Sequence, residues 1–243
     1  LAFSSAPDYE NPGSAGSSNE YTVTVSINDG SNDGATITYT VTVADANDQT
    51  PVYQAADADD AITVNENVGT GSIDAGTITD ADTVGTYGCT LGGADAADFA
   101  CSISGSTVNI AFAADPNYES PADADTNNIY VVTVLIDDGA ADDANGATTL
   151  TITVADVNDI TPTYTATSTT PSVTEGATAV DSNVAITDAD TGDSNTCNLG
   201  GADAGSFTCT LSGQTAYSLA FSSAPDYENP GSAGSSNEYT VTV

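Results

Sequence analysis

The sequence of 243 residues contains no lysine, arginine or histidine, whereas 35 residues are aspartate or glutamate, so the formal net charge is −35. Salt bridges between side chains are therefore excluded, and each carboxylate must be stabilised by water, a backbone N–H group or a metal ion. Nucleic acid is excluded as an electrostatic partner because no side chain could neutralise a phosphate. Binding to anionic membranes is disfavoured for the same reason.

Other absences narrow the class of protein. Methionine and tryptophan are absent, and no hydrophobic run approaches the ~20 residues that a membrane helix needs. We therefore expect no membrane insertion in this segment. Without histidine, lysine or arginine, only carboxylates and tyrosines remain for acid–base chemistry, so we expect no enzyme. Disorder is the alternative for such an acidic chain, but long alternating runs of Val, Ile, Thr and Tyr favour a folded β protein.

The four cysteines form two pairs with the same spacing. Cys89 and Cys101 enclose CTLGGADAADFAC, and Cys197 and Cys209 enclose CNLGGADAGSFTC. Repeated pairs without histidine or C-x-x-C spacing indicate one disulfide per repeat rather than zinc sites, with buried thiols as the alternative. Disulfides predict an oxidising compartment, hence a secreted protein that is extracellular or on the cell surface. Bonded Cα atoms should lie about 4.4–6.8 Å apart.

Internal repetition divides the chain. The stretch VADANDQTPVY at 43–53 recurs as VADVNDITPTY at 154–164, and the segment 1–25 recurs letter for letter at 219–243. Repetition at a fixed period is typical of a tandem array. We therefore expect the chain to be a segment of a longer array, in which residue 243 is followed by a copy of SINDGSNDG. The two copies of the 25-residue segment should occupy equivalent environments.

These repeats predict three pieces. We expect residues 1–51 to be the C-terminal part of one domain and residues 52–162 to be a complete domain. Residues 163–243 should be the N-terminal part of the next domain, which is a copy of the unit that opens the chain. The partners implied are further copies of the chain, either in a head-to-tail polymer or in one long tandem chain.

The complete unit consists of short segments with strand patterning. In TTLTITVAD (148–156), Leu150, Ile152 and Val154 face one way and the intervening threonines face the other, which indicates a half-buried antiparallel strand. The other predicted strands are AITVNE (61–66), GSIDAGTIT, YGCTLG (87–92), CSIS and TVNIAF (within 101–112) and IYVVTVLID (129–137), with a short helical turn in ADAADF. About seven short strands per domain predict an all-β fold of Greek-key, immunoglobulin-like β-sandwiches joined end to end.

Acidic motifs stand where the predicted strands end. An Asp-x-Asn-Asp motif presents several oxygen ligands in a small space, where carboxylates repel one another unless a divalent cation compensates their charge. A single motif of this kind is also compatible with a solvated turn. Five motifs in the same order, present twice, favour a metal site. Acidic residues outside these motifs are predicted to form a solvated surface, among them Asp57, Asp59, Asp60, Asp142 and Asp143.

With these motifs the chain resembles the cadherin repeat family, in its bacterial cadherin-like form. The linker motif appears at Asp45, Asn47, Asp48 and Pro51, and again at Asp156, Asn158, Asp159 and Pro162. The Asp-x-Glu motif appears at Asp8 and Glu10 and at Asp226 and Glu228, and the amino-terminal Glu at Glu66 and Glu175. The Asp-x-Asp motif appears at Asp80 and Asp82 and at Asp188 and Asp190, and the late Asp-Gly pair at Asp29 and Asp138. The segment LGGADAADF also resembles the prokaryotic branch.

The resemblance implies a Ca²⁺ cluster between consecutive domains. At the first junction the implied ligands are Asp8, Glu10, Asp45, Asn47, Asp48, Asp80, Asp82 and Asp138. At the second junction they are Glu66, Glu119, Asp156, Asn158, Asp159, Asp188 and Asp190. Ligation by oxygen alone suits Ca²⁺ rather than zinc or copper. The complete unit departs from the Asp-x-Glu motif, because Asn117 replaces its Asp; we therefore expect a weaker or missing ion there.

Two classes of function remain. The first is a structural protein, a secreted tandem-repeat shaft of a filament or surface fibre that is rigidified by calcium at its domain junctions. The alternative is a calcium-dependent adhesin that binds polysaccharide or like domains on other cells. Near-identical repeats favour the shaft, and the absence of tryptophan argues against a platform for sugar stacking, although 11 tyrosines are present.

Overall fold

The computed structural model describes residues 1–57, 59–140 and 146–243. The chain forms two compact units, Leu1–Ala155 and Asp156–Val243. The division into three pieces at residues 51 and 162 stays a prediction. Asp142 and Asp143, which we expect on a solvated surface, lie outside the described residues.

The first unit contains ten strands within its described residues. They are β1 (Glu20–Val25), β2 (Ile37–Thr42), β3 (Val52–Gln54), β4 (Ala61–Asn65), β5 (Ser72–Thr79), β6 (Gly88–Gly92), β7 (Phe99–Ser104), β8 (Thr107–Phe112), β9 (Ile129–Asp137) and β10 (Thr148–Ala155), with a 3-10 turn at Ala96–Asp98. β1 and β2 pair only with each other in the described structure, as an antiparallel hairpin. The other eight strands form two four-stranded sheets, ordered β4-β10-β9-β6 and β3-β5-β8-β7.

These two sheets pack as a β-sandwich, so the predicted all-β fold is confirmed. β4 runs parallel to β10, and the other pairs are antiparallel. In β10, Leu150, Ile152 and Val154 are fully buried while Thr149 is exposed, as the alternation predicts. The three-residue strand β3 is not among the predicted strands, because it is too short to show a period.

Inward residues from both sheets form one core. Val108 and Ile110 of β8 pack with Val132 of β9 and Leu150 of β10, and all four are completely buried. β-branched and leucine side chains suit this position because they pack well against a pleated surface. Each fully buried side chain of this size contributes about 1.5–3 kcal/mol to folding.

The predicted disulfides are confirmed. Cys89 in β6 bonds to Cys101 in β7, with their Cα atoms 6.3 Å apart, and Cys197 bonds to Cys209 at 6.1 Å. β6 and β7 are edge strands of the two opposite sheets. The first bond therefore closes one open side of the sandwich.

The second unit contains one four-stranded sheet within its described residues. Its strands are β11 (Thr163–Tyr164), β12 (Ala179–Thr187), β13 (Phe207–Ser212) and β14 (Ala216–Phe221), with a 3-10 turn at Ala204–Ser206. The sheet order β11-β12-β14-β13 matches β3-β5-β8-β7 of the complete sandwich. Its core is correspondingly smaller and consists of Val184, Phe207, Tyr217 and Leu219.

The two copies of the 25-residue segment differ at their ends. Leu219–Phe221 belongs to β14, whereas residues 1–3 are irregular. Conversely, residues 20–25 form β1, whereas the region 238–243 contains only an isolated bridge from Thr242 to Gly200. The prediction of equivalent environments is therefore wrong for the flanking residues. The reason is that β14 pairs with the preceding β12 and β13, and β1 pairs with the following β2.

Candidate metal centre

The segment that follows β2 folds against the segment that follows β5. Asp82 is buried, and its Oδ2 accepts hydrogen bonds from the backbone N–H groups of Asp48 (2.8 Å) and Gln49 (2.7 Å). Asp45 makes the reciprocal contact, because its Oδ2 accepts hydrogen bonds from the N–H of Thr83 (2.6 Å) and from the Thr83 hydroxyl. The linker motif and the Asp-x-Asp motif are thereby held together by their own carboxylates.

A second set of contacts extends this site to the end of β9. The Asn47 side-chain amide donates a hydrogen bond to the carbonyl oxygen of Asp138 at 3.1 Å. The Tyr87 hydroxyl donates to Oδ2 of Asp80 at 3.1 Å, and the N–H of Asp82 donates to Oδ1 of Asp80 at 3.1 Å. Asp80 is therefore fixed beside Asp82, and Asn47 is fixed beside the buried Asp138.

Two groups of three carboxylates result. Glu10, Asp45 and Asp82 each place a carboxylate oxygen within 4.8 Å of the others, and so do Asp80, Asp82 and Asp138. Loss of hydration raises the pKa of Glu10, and the adjacent Asp45 and Asp48 raise it further. The pKa of Asp45 is lowered, mainly by the hydrogen bond from the Thr83 hydroxyl. Like charges at this spacing disfavour ionisation unless a cation compensates them.

Several oxygens of this cluster are buried and lack a hydrogen-bond donor in the described part of the chain. They are Glu10 Oε1, Asp45 Oδ1, Asn47 Oδ1, Asp82 Oδ1 and Asp138 Oδ2. A buried acceptor without a partner costs about 1–3 kcal/mol, and more when it is charged. Five such oxygens in one cluster fit the oxygen-only shell of a hard divalent cation such as Ca²⁺. Asp45 and Asp82 each use one oxygen for the protein and keep the other for this position.

Three other predicted ligands lie at the rim or away from these groups: Asp8 and Asp48 of the first junction, and Asp29 of the late Asp-Gly pair. Asp8 is exposed, and its Oδ1 accepts a hydrogen bond from the N–H of Asn11 at 2.8 Å. Asp48 is also exposed, and its side chain accepts a hydrogen bond from the Gln49 amide at 2.9 Å. Asp29 lies in the turn after β1, where its Oδ1 accepts hydrogen bonds from the N–H groups of Ser31 and Asn32. Each of these three has a local role in its own turn.

The second predicted ligand set is divided between the two units. Glu66 and Glu119 belong to the first unit. Glu66 is almost completely buried, and its Oε2 accepts a hydrogen bond from the N–H of Tyr118 at 2.8 Å. Glu119 is partly buried and directly follows Tyr118, in the loop between β8 and β9.

The other five residues lie in the second unit, where the arrangement at Asp82 and Asp45 is repeated. Asp190 is buried, and its Oδ2 accepts a hydrogen bond from the N–H of Ile160 at 2.9 Å. Asp156 Oδ2 accepts hydrogen bonds from the N–H and the hydroxyl of Thr191. Both carboxylate oxygens of Asp188 and Oδ1 of Asp190 are buried without a donor among the described residues. Exposed Asn158 donates a hydrogen bond to Asp193 at 3.1 Å, and Asp159 is also exposed.

Asn117 occupies the position that the motif assigns to an aspartate. Its Oδ1 accepts a hydrogen bond from the N–H of Ser120 at 2.6 Å, as Asp226 Oδ1 does from Asn229 at 3.0 Å. Asn117 therefore keeps the turn and removes one negative charge. Asp115 is turned to another loop, where its Oδ1 accepts a hydrogen bond from the N–H of Gly69.

A third group of carboxylates lies in the second unit. Glu175, Asp226 and Glu228 place carboxylate oxygens within 4.8 Å of one another, and all three are exposed. The N–H of Tyr227 donates to Oε2 of Glu175 at 3.2 Å, which repeats the contact of Tyr118 with Glu66. The amino-terminal Glu and the Asp-x-Glu motif are therefore adjacent within this unit.

Two threonines at the candidate site, Thr83 and Thr191, are not among the predicted site residues. Thr83 and Thr191 bind the first aspartate of the linker motif through both N–H and hydroxyl. A signal was present, since a threonine directly follows Asp-Ala-Asp at both positions, in DADT.

Comparison with known proteins defines the class of fold. No family model and no curated protein matches the chain. Among solved structures, extracellular cadherin domains 1–4 of protocadherin gamma B7 match 86% of this chain with 22% identity and a TM-score of 0.57, over 50% of their own length. Domains EC1-4 of PcdhgB3 match 89% with 21% identity and a TM-score of 0.61, over 52% of their length. Mouse cadherin-23 EC22-24 matches 91% with 22% identity and a TM-score of 0.53, over 68% of its length.

The chain is therefore built of cadherin-like β-sandwich domains, as the motifs predict. It spans about half the length of the protocadherin structures that it matches. A bacterial form stays a prediction. In the described ranges, no helix is long and apolar enough to cross a membrane.

Proposed function

We propose that the chain is part of the shaft of a secreted filament or surface fibre, in which Ca²⁺ stiffens the junctions between cadherin-like domains. The main support is the set of buried oxygens at the linker between β2 and β3 that have no hydrogen-bond donor among the described residues. A bound divalent cation would compensate these charges and fix the linker against the sandwich. The two disulfides support an oxidising compartment, outside the cytosol.

The proposed ligands at this junction come from four segments of the first unit. Asp45, Asn47 and Asp48 lie in the linker and Glu10 in the loop before β1, while Asp80, Asp82 and Asp138 belong to the complete sandwich. When bound, Ca²⁺ would supply positive charge to a cluster that has none of its own. The protein's part is to hold the carboxylates in place, through Thr83 for Asp45 and the N–H groups of Asp48 and Gln49 for Asp82.

The array itself is supported by an apolar face on the β1–β2 hairpin. Val23, Ile37 and Tyr39 face one side and are 36%, 55% and 45% exposed. In the complete sandwich the residues equivalent to Val23 and Tyr39 are Val132 and Leu150, which are completely buried. We infer that this face packs against a sheet like that of residues 163–243 in an adjacent repeat, either in one continuous chain or in a second copy.

The test combines calcium binding with stiffness. Titration calorimetry on the chain should detect Ca²⁺, with affinities of roughly 10⁻⁴–10⁻³ M that are typical of extracellular modules. Asp138→Asn should weaken binding at the first junction, whereas Asp57→Asn, which removes the same charge from an exposed turn, should leave it unchanged. Small-angle scattering should show a more flexible particle after chelation. Equal stiffness with and without chelator would contradict the proposal.

Adhesion is the second candidate function. One matching structure, with 22% identity and a TM-score of 0.58, is described as a cis-dimer of protocadherin gamma B7. An adhesin would bind cells or polysaccharide with an affinity that depends on Ca²⁺. A shaft would show calcium-dependent stiffness without such binding, so the two functions are separated by a cell-binding assay at saturating Ca²⁺.

A further inference from the structure

One segment of the second unit combines a high content of hydroxyl groups with an absence of charge. Nine of the fifteen residues at 160–174 are serine or threonine and none is acidic, in a chain with a net charge of −35. We call the central part of this segment, TATSTTPS at 165–172, the hydroxyl loop. It follows the short strand β11, and none of its residues lies in a strand or helix. Serine, threonine and proline at this density are typical of segments that carry O-linked sugars.

The hydroxyl loop is open to solvent. All of its residues are exposed except Ala166, which is half-buried. Pro171 has a fixed backbone angle, and it biases Thr170 towards an extended conformation. In the part of the chain that the structure describes, the side-chain oxygens of four of its residues have no hydrogen-bond partner: Thr165, Thr169, Thr170 and Ser172. The Ser168 oxygen accepts a hydrogen bond from the N–H of Thr170 at 3.1 Å, which leaves its own proton available. Five hydroxyl groups of the loop are therefore accessible to an enzyme.

The complete sandwich contains an equivalent loop after β3. There the N–H of Ala56 donates a hydrogen bond to Oδ1 of Asp74 at 2.9 Å, and in the second unit the N–H of Thr167 donates to Oδ2 of Asp181 at 2.8 Å. Asp74 belongs to β5 and Asp181 to β12, which occupy the same position in the two sheets. The two loops are therefore anchored in the same way. Since the anchored loop of the complete sandwich is also largely exposed, the exposure of the hydroxyl loop is expected in a complete domain as well.

Beyond this shared anchor the two loops carry different polar groups. The loop of the complete sandwich continues with DADD at 57–60, whereas the hydroxyl loop continues with STT at 168–170. Exposed carboxylates keep the first loop hydrated and repel other acidic chains. The hydroxyl loop has no such charge, and a covalently bound sugar would supply bulk and hydration in its place.

The other serine-rich loop of the chain, GSAGSSN, differs because its hydroxyl groups are already used. Ser14 Oγ donates a hydrogen bond to the carbonyl oxygen of Ser18 and accepts one from its N–H. Ser232 is buried and makes the same two contacts with Ser236. A sugar on either serine would remove a hydrogen bond that holds the loop. A high serine content is therefore not sufficient for modification, and the free hydroxyl groups distinguish residues 165–172.

We propose that the hydroxyl loop is a site of O-glycosylation. The sequence contains no Asn-x-Ser/Thr acceptor, so a sugar on this chain is linked through a hydroxyl oxygen. The acceptors are the five accessible residues of the loop, namely Thr165, Ser168, Thr169, Thr170 and Ser172. The partner is a glycosyltransferase that uses a sugar activated by a diphosphate group at its anomeric carbon.

The transfer is a substitution at the anomeric carbon of the sugar. The serine or threonine Oγ attacks this carbon and forms the glycosidic C–O bond, while the bond from the carbon to the phosphate oxygen breaks. The hydroxyl proton passes to a base of the transferase, and the diphosphate leaves with the electron pair. This chain supplies only the acceptor oxygen, so it needs no catalytic residue of its own.

The test is mass spectrometry of the protein purified from the organism that produces it. A protease that cuts before aspartate releases residues 159–180 as one peptide, because Asp159 and Asp181 enclose no other aspartate. This peptide should be heavier by whole sugar residues, and fragmentation should place them within 165–172. The peptide of residues 8–28, which contains the hydrogen-bonded serines of the first copy, should have its unmodified mass.

Variants made in the same organism sharpen the assignment. Alanine at all five acceptor positions should lower the modified fraction of the 159–180 peptide at least tenfold. Ser102→Ala with Ser104→Ala removes two exposed hydroxyl groups from the paired strand β7 and should leave that fraction unchanged. Thermal melting should show that both variants are folded.

The result is independent of calcium-dependent stiffening, because the hydroxyl loop contains no carboxylate. The five-alanine variant should therefore bind Ca²⁺ as the natural chain does. An unmodified 159–180 peptide, sugars confined to residues outside 165–172, or an unchanged modified fraction in the five-alanine variant would each overturn the proposal.

Discussion

Residues 1–25 and 219–243 have the same sequence but different neighbours. Comparing them shows which contacts depend on the 25 residues alone and which depend on partner strands elsewhere in the chain. The loops in the middle of the two copies are alike. Ser14 Oγ donates a hydrogen bond to the carbonyl oxygen of Ser18 at 2.5 Å, and Ser232 does the same to Ser236 at 2.5 Å. The ring centroids of Phe221 and Tyr239 are 5.0 Å apart, matching the 5.1 Å of the first copy.

The ends of the two copies depend on partners elsewhere in the chain. Leu1 is 83% exposed, whereas Leu219 is 7% exposed, because Leu219 lies in β14 between β12 and β13. Identical residues therefore gain or lose a strand according to which partner strand is present. Hydrogen bonds within the loop are the same whether or not a partner strand is present, whereas the burial of the flanking strand requires that partner. A substitution that disturbs the strands paired with one copy should therefore destabilise that copy and leave the other unchanged.

The largest expected effect comes from removing the disulfide beside the second copy. Cys197→Ser with Cys209→Ser opens a loop whose ends are 12 residues apart, and such a bond contributes roughly 3 kcal/mol through the entropy of the unfolded chain. Because β13 and β14 belong to the small core, the second unit should unfold at a markedly lower temperature in calorimetry. Cys89→Ser with Cys101→Ser is the control, since the eight-stranded sandwich should remain folded at room temperature. Equal loss of both units would contradict this difference.

The leucines at the start of the two copies should respond differently to the same substitution. Leu219→Ala should destabilise the second unit by about 2–3 kcal/mol, because it removes apolar contacts with the core of Val184, Phe207 and Tyr217. Leu1→Ala should change stability by less than about 0.5 kcal/mol, as expected of an exposed residue. Urea unfolding of both variants measures the difference. Similar values for both would mean that Leu1 is also buried in solution.

Much of the fold and of the site was predictable because it depends on local pattern. The alternation in 148–156 predicts which residues of β10 are buried, and equal spacing predicts the Cys89–Cys101 bond. The grouping of Asp82 with Asp45, and of Asp82 with Asp138, was predictable only through the family resemblance. Their separation along the chain gives no periodic signal.

Two buried carboxylates outside the motifs, Asp74 and Asp95, were not predictable, because their partners are distant in sequence. Asp95 accepts hydrogen bonds from the N–H groups of Ala124 and Val131, and Asp74 accepts one from Ala56. In the sequence these aspartates resemble the solvated ones of the acidic loops. Only the tertiary structure shows that each of them holds a loop or strand against the sandwich.

A weaker, pH-dependent stabilisation should come from the Asp203 carboxylate, which binds the second copy. Oδ1 and Oδ2 of Asp203 accept hydrogen bonds from Ala233 and Thr240, at 2.5 Å and 2.6 Å. These bonds lower the pKa of Asp203 below its ordinary 3.8, with the bond from Ala233 as the main cause. Because folding favours the charged form, the stabilisation is complete above about pH 4 and is lost as the pH falls through the lower folded pKa. Asp203→Asn should reduce stability at pH 7 and flatten this part of the pH profile of unfolding.

The smallest expected effect tests the feature that the two copies share. Ser14 and Ser232 each accept a hydrogen bond from the N–H of the residue four positions on, Ser18 at 2.8 Å and Ser236 at 2.9 Å, in addition to donating one. Replacing either serine by alanine removes a local cap that is worth about 1 kcal/mol. Ser232 is buried, so Ser232→Ala should lower the stability of its loop more. Ser14→Ala should lower it less, because water can replace the hydroxyl there. Hydrogen exchange at the N–H groups of Ser18 and Ser236 measures each loop separately. Faster exchange at the altered loop alone is the expected result, whereas loss of protection throughout β14 would show that the loop and the strand are not independent.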